Sequence, residues 1–374
     1  MKVIYVDYKN RLKRLRNELK SQELDGIMIT NEWNRRYLSG FTGSAGVLYI
    51  DSKRAFIAVD SRYYIQASKQ SPDFKLIKVG MESPFRIFKN LLKLSGRRIG
   101  FESDDVTVSQ LKSIRKLMRG VNLIATKEIT LKLRSIKDTD EVKSIQAAQK
   151  ITDAAFKMLL KYVKPNMTEI EIAWVIERFM REQGAQKIAF PSIVASGPNS
   201  ALPHAVASNR KIKKHDIVLF DMGCTVNGYS SDMTRTIFVG RPSEKMKYVY
   251  NRVLEAHLMV FELSKPGEKV ARIDKISRDY IYKSVWKGNS LMGEKKGQGR
   301  YEHGLGHGVG LNFHEEPVLS YKRKKDILAV GQIVTNEPGI YIEGEGGVRI
   351  EDIMLVTMDG VESLTKSPKE LISI

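Results

Sequence analysis

Cysteine is almost missing from this chain: its 374 residues include one, Cys224, so no internal disulfide can form. No run of eighteen apolar residues occurs, and no transmembrane helix is expected. The first twenty residues, MKVIYVDYKNRLKRLRNELK, break every apolar stretch with charge and offer no signal-peptide core. A cytoplasmic protein is the resulting expectation. Low-complexity segments and short-period repeats are missing as well. Acidic residues are outnumbered, 43 Asp and Glu against 62 Lys and Arg, which leaves a net charge of +19. Such an excess raises the question of nucleic acid or another polyanion. The bases are spread along the chain, however. The local knots Arg210-Lys211-Ile212-Lys213-Lys214 and Lys322-Arg323-Lys324-Lys325 carry no interleaved aromatics and no nucleic-acid motif. A generally basic surface accounts for them better, and nucleic acid is not an expected partner.

At this length and 42% hydrophobic content, two globular domains are the natural prior. Leu12, Leu15, Leu19 and Leu24 share one face of a helix over residues 10–24. A buried strand follows at 26–30, then two strands at 46–50 and 54–59 around Asp51-Ser52, and helices and strands alternate to about residue 130. This alternation predicts an α/β first domain over 1–132. The segment Leu133–Asp138 reads as the join, and 139–374 as the second domain. Residues 140–163 predict a long helix, and Thr168 with Glu171 predicts the capping box of another that stops at Gly184. From about residue 190, short strands alternate with turns and two more helical stretches.

The informative chemistry lies in two hairpins that each carry a pair of carboxylates. In the first, Ile217–Asp221 leads through Asn227-Gly228, a strong hairpin turn, to Tyr229–Thr236. Asp221 and Asp232 are placed almost symmetrically about Asn227 and are expected nearly opposite each other. In the second, Ile333–Glu337 returns through Gly344-Glu345-Gly346-Gly347 to Val348–Asp352, with Gly344 midway between Glu337 and Glu351. Directly opposed residues stand roughly 4.5–5.5 Å apart at Cβ, so two like charges there repel unless a cation neutralises them. One such pair could face solvent. Two pairs, each beside apolar strand residues, are enough for two divalent ions roughly 3.5–4 Å apart.

Histidine is scarce, six in all, yet three fall in His303-Gly-Leu-Gly-His307-Gly-Val-Gly-Leu-Asn-Phe-His314. The first two have helical zinc-site spacing. Four glycines make a helix improbable and an extended backbone close to a ligand the better reading. His204, in a loop with two prolines, is weak evidence alone.

The ordered motifs DMG, YSSDMTRT, HGLGHGVGLNFHEEP, NEPG and VRIED resemble those of the pita-bread metallopeptidases of the creatinase, aminopeptidase P and prolidase type. The resemblance implies a second domain of two pseudo-related αβ halves around a curved antiparallel sheet. It implies metal ligands Asp221, Asp232, His307, Glu337 and Glu351. Manganese suits that oxygen-rich set with one imidazole, and cobalt or zinc would serve. In this frame Glu337 shuttles a proton, His314 stabilises the oxyanion, and His204 contacts the scissile amide. His303 lines the proline pocket, while Arg349 and Tyr341 orient ligand or substrate.

Arg36–Gly46 and Asp60–Tyr64 resemble the N-terminal domain of aminopeptidase P. The glycine-rich stretch lacks the G-K-[ST] ending of a phosphate loop, so a turn or domain-contact role is expected for it. The function implied is removal of an N-terminal residue preceding proline, by a homodimer acting on proline-containing peptides. An Xaa-Pro dipeptidase is the alternative. In such enzymes an arginine often follows the His-Glu-x-Pro motif, whereas Val318 follows Pro317 here. A non-catalytic pita-bread module for nucleic acid is the alternative of another class, disfavoured because all five ligand types are in place.

Overall fold

In the computed structural model, which describes residues 7–127, 129–286, 299–301 and 303–374, the chain divides into two units, Met1–Arg134 and Ser135–Ile374. The first unit begins with the helix Tyr8–Ser21, whose buried Leu12, Leu15 and Leu19 follow the expected spacing. Its six-stranded sheet runs in the order Lys75–Lys78, Ala55–Val59, Val47–Asp51, Gly26–Ile29, Arg98–Glu102, Asn122–Thr126. The central strands are antiparallel and the outer pairings parallel. The Asp51 carboxylate closes the expected turn by accepting from the N–H groups of Lys53 and Arg54. The glycine-rich segment departs from expectation at its start, because Arg36–Ser39 belong to a helix, Glu32–Ser39. Asn31 caps that helix and Gly40, at φ 77°, ends it in the left-handed conformation that glycine tolerates. Eight residues with little apolar periodicity gave no helical signal in the sequence.

In the second unit, Asp138 and Glu141 form a reciprocal capping box that starts the helix Thr139–Tyr162. Thr168 and Glu171 do the same for Glu169–Glu182. A second helix pair, Glu244–Leu263 and Val270–Ile281, follows the first hairpin. The helices cover small sheets whose strands pair antiparallel throughout the described residues, and separate apolar clusters fill the space beneath each helix pair. This is the α+β arrangement anticipated for the catalytic half.

The hairpin registers set the carboxylates. Asn227 and Gly228 both have positive φ, 51° and 84°, as a two-residue type I′ turn requires. Thr234 is therefore the partner of Asp221, and the ladder continues from Met233 opposite Met222 to Thr225 opposite Ser230. Asp232 thus faces Gly223 and lies diagonal to Asp221 on the same face, which corrects the expectation of direct opposition. The turn is centred between Asn227 and Gly228 rather than beside Asn227, and that small shift moves the pair two positions out of step. In the second hairpin, Asn336 pairs with Asp352 and Gly339 with Arg349. The register is the same on both sides, so Glu337 and Glu351 lie opposite each other.

The two hairpins are stitched together. Glu351 N–H donates to the Thr234 carbonyl at 3.1 Å, and the Thr236 hydroxyl donates to the Arg349 carbonyl at 2.9 Å. The buried Arg235 guanidinium bonds the carbonyls of Thr234 and Glu351 and the Asp352 carboxylate. All four acidic side chains are thereby brought to one place.

Candidate active site

A cavity of about 510 Å³ opens over these strands, and Asp221, Asp232, His307, Glu337 and Glu351 all line it. His307 sits on the strand Gly306–Gly308, between Glu315–Leu319 and Ile333–Asn336. The flanking glycines have a steric cause. A Cβ on Gly306 would lie 2.2 Å from the Thr335 carbonyl oxygen, and one on Gly308 would lie 2.2 Å from that of Glu316. The close approach brings His307 Nε2 within 3.7 Å of Asp232 and 3.5 Å of Glu337. Asp232, His307 and Glu351 each offer a ligand atom, all within 4.8 Å of one another.

The electrostatics are those of acids crowded together in a largely buried site. Burial, then the charges of Glu351, Asp221 and Glu337, pushes the Asp232 carboxyl well above the usual range. Burial and Glu351 do the same to Glu337. Burial and Asp221 push Glu351 up to about 8. Asp221 is raised mainly by burial, against the pull of Arg349. Burial, and then the neighbouring His314, lowers His307 to about 3 and leaves a neutral imidazole, the form that ligates metal. One oxygen of Asp221, Oδ1, is buried with no hydrogen-bond partner among the described residues. An orphaned carboxylate oxygen beside three more carboxyls and a neutral imidazole fits a cation-binding centre.

The remaining expected residues are placed as follows. His303 lines the cavity, contacts the Gly304 carbonyl through Nδ1 at 2.8 Å, and reaches the Tyr341 hydroxyl through Nε2 at 2.9 Å. Burial, then Arg349, lowers it to about 3. Arg349 is buried and its donors are engaged: Asp221 at 2.6 Å, the Tyr341 hydroxyl at 2.7 Å, the Thr234 hydroxyl at 2.9 Å and the Pro203 carbonyl at 3.2 Å. Its geometry is that of a group orienting Asp221 rather than one free to meet substrate. Tyr341 sits between His303 and Arg349 and does not line the cavity. His314 lies at the exposed rim with its ring centroid 4.2 Å from that of His307. His204 is also on the cavity wall and exposed.

Two hydroxyls escaped the sequence reading. Thr234 donates to Glu351 at 2.7 Å, and Thr335 donates to Glu337 at 3.3 Å while accepting from the His307 N–H at 3.0 Å. Each is two residues from an acid on its own strand, so strand alternation alone could have found them. The apolar wall of Phe190, Pro191, Ile193 and Phe313 had no such signal, because its parts meet only in the fold.

Fold and site together define a metallopeptidase. The profile of metallopeptidase family M24 matches residues 143–358, and that of the creatinase/prolidase N-terminal domain matches residues 11–136. The chain belongs to this family, whose members depend on a dinuclear metal centre. It is similar to a solved structure of an Xaa-Pro dipeptidase from Bacillus anthracis, with 41% identity and a TM-score of 0.91 over 98% of this chain and 100% of that one. A curated Xaa-Pro dipeptidase of Pyrococcus furiosus is 35% identical over 97% of this chain and 100% of its own. The solved X-Pro aminopeptidase from Thermotoga maritima is 31% identical, with a TM-score of 0.86 over 97% and 100%.

Proposed function

We propose that this chain is an Xaa-Pro dipeptidase, a metal-dependent hydrolase that cleaves the bond between a first residue and a C-terminal proline. The observation that carries the reading is the convergence of four carboxylates and one neutral imidazole in a single cavity. The dipeptidase names of full-length relatives support it over the aminopeptidase favoured in the sequence reading. The aminopeptidase remains the second reading. Val318 on the cavity wall, where an arginine could have met a free carboxylate, supports it, as does the likeness to the Thermotoga maritima enzyme.

Asp221, Asp232, His307, Glu337 and Glu351 would hold two divalent cations, for which manganese is the first candidate and cobalt or zinc the alternatives. When bound, they supply a water of lowered pKa and polarise the scissile carbonyl. Glu337 takes the proton of the attacking water and passes it to the leaving proline nitrogen. His314, at the rim, donates to the developing oxyanion, and His204 contacts the scissile amide. Arg349 orients Asp221 through their 2.6 Å ion pair. His303, held by Tyr341, flanks the proline ring. The rigid ring lacks an N–H and so leaves no donor to satisfy in an apolar pocket. The protein acts as a cytoplasmic homodimer.

The test is hydrolysis by chelator-treated protein reloaded with each metal, comparing Xaa-Pro dipeptides with Xaa-Pro-Yaa tripeptides. A dipeptidase favours the dipeptide in kcat/KM by about tenfold or more, the scale of recognising a buried or paired carboxylate. Preference for the tripeptide installs the aminopeptidase reading. No hydrolysis with any metal overturns both and leaves a binding module.

A further inference from the structure

Glu169 is the first residue of the helix Glu169–Glu182 and is completely buried, yet it belongs to neither the donor set nor the cavity wall. Its Oε1 accepts from the N–H and the hydroxyl of Ser196, both at 2.7 Å, and from the Asn199 amide at 3.1 Å. Its Oε2 accepts from the same amide at 3.1 Å, from the Ser208 N–H at 3.0 Å and from the Ser208 hydroxyl at 2.6 Å. Ser196 and Ser208 are the two feet of the loop that carries His204. One carboxylate therefore ties both feet, and Asn199 within the loop, to the start of one helix. A negative charge is at home there beside the helix dipole.

The loop then lies along the second hairpin. The Gly347 N–H donates to the Ser200 hydroxyl at 2.9 Å, and Arg349 donates to the Pro203 carbonyl. His204 itself is exposed and makes no hydrogen bond among the described residues. With no hydrogen bond of its own, the imidazole takes its place from the backbone that carries it. That backbone is fixed at its base by Glu169 and at its crown by Ser200 and Pro203.

We propose that Glu169 is a positioning residue for His204: it sets where the imidazole meets the substrate amide without touching substrate or metal. The inference rests on the reading that His204 contacts that amide. A misplacement of about 1 Å can cost up to roughly a hundredfold in rate. Glu169→Gln keeps the shape but turns one acceptor into a donor that faces the donors of Ser196, Asn199 or Ser208.

The experiment measures kcat, KM, bound metal and amide hydrogen exchange for Glu169→Gln, His204→Ala and the double variant, using the full chain loaded with manganese and an Xaa-Pro substrate. The expected result is a kcat lowered about tenfold or more by each single change. Both metals remain, and the amides of residues 197–208 exchange faster while those of Ile217–Met222 do not. The double variant is no slower than the slower single variant within about twofold, the mark of two groups acting through one another. The inference is overturned if Glu169→Gln keeps parental kcat while His204→Ala is slow, if the two losses multiply, or if metal is lost. Parental kcat in His204→Ala overturns the reading of His204 itself and the inference with it, a result distinct from the others. Should Glu169→Gln not fold, Ser196→Ala and Ser208→Ala each remove one hydroxyl from the carboxylate and enter the same cycle.

Discussion

His314 and Asp221 sit within one cavity but should fail in different ways when removed. Among the described residues His314 hydrogen-bonds through its backbone N–H, to the Asn312 side chain, and its ring stands at the rim against His307. Its ring is close enough to His307 to act on a transition state formed beside the cluster. Asp221 has a buried oxygen with no hydrogen-bond partner among the described residues, which a cation would satisfy. His314→Ala is therefore expected to keep both metals and near-parental KM while kcat falls by about two orders of magnitude, the usual scale for one lost oxyanion donor. Asp221→Ala is expected to lose metal, and activity with it. Elemental analysis beside kcat and melting temperature separates the two. Loss of metal in His314→Ala would make His314 a ligand, and unchanged kcat would remove it from the mechanism.

Among the elements, the first hairpin depends on its turn. Asn227 and Gly228 occupy left-handed conformations, and the Gly228 N–H is held by the Gln186 side chain at 2.7 Å. A β-branched residue at φ 84° is strained, at a cost of about 1–3 kcal/mol. Gly228→Val is expected to lower the unfolding free energy by that amount, read as a lower urea midpoint at unchanged slope, whereas Asn227→Gly should be close to neutral. A midpoint unmoved by Gly228→Val would mean that the turn is not the two-residue type described. The same turn shows how far the sequence could be read. The Asn-Gly pair and the alternation around it gave the hairpin and the shared face of Asp221 and Asp232. The diagonal offset was missed, because the turn was centred beside Asn227, although an Asn-Gly pair in a type I′ turn puts the centre between its two residues. For the second hairpin, symmetry about Gly344 was enough to place Glu337 opposite Glu351. The capping box at Thr168 was local and was read; that at Asp138, equally local, was passed over as part of the join. The Thr234 and Thr335 hydroxyls were within reach of the same alternation argument. The Glu169 clamp and the Phe190–Phe313 contact, with ring centroids 5.0 Å apart, join residues from remote segments and had no local signature.

For the molecule as a whole, the acid cluster sets how stability follows pH. In the metal-free protein the clustered carboxyls have pKa values above those of the unfolded chain, which lie near 4, and Glu351 reaches about 8. Through these acids the folded state holds more protons than the unfolded state between those values, which lowers stability as pH rises. Buried His303 and His307, held at about 3, act in the opposite sense up to about 6.5, so the net fall is expected from about 6.5 to 8. Below about 4 both states are protonated and the penalty vanishes. Cations reverse the sign, since ligation needs the deprotonated groups and strengthens as pH rises. The melting temperature of chelator-treated protein is expected to fall between about pH 6.5 and 8 while that of manganese-loaded protein does not, so that the gap between them widens. A gap that is constant across this range would show that the carboxyls do not titrate with the metal.

The hydrogen bond from Thr234 to Glu351 joins residues 117 positions apart, and the final residues of the chain return to the first hairpin through Phe238 N–H to the Ile372 carbonyl. This has a consequence during synthesis. A ribosome adding about 5–20 residues per second completes the codon for Glu351 roughly 6–24 s after that for Asp232. Throughout that interval the nascent polypeptide carries half of a donor set, its aspartates hydrated and without the strands that will desolvate them. On the proposed donor set, cation loading then follows synthesis of the second hairpin rather than guiding the early folding of the first.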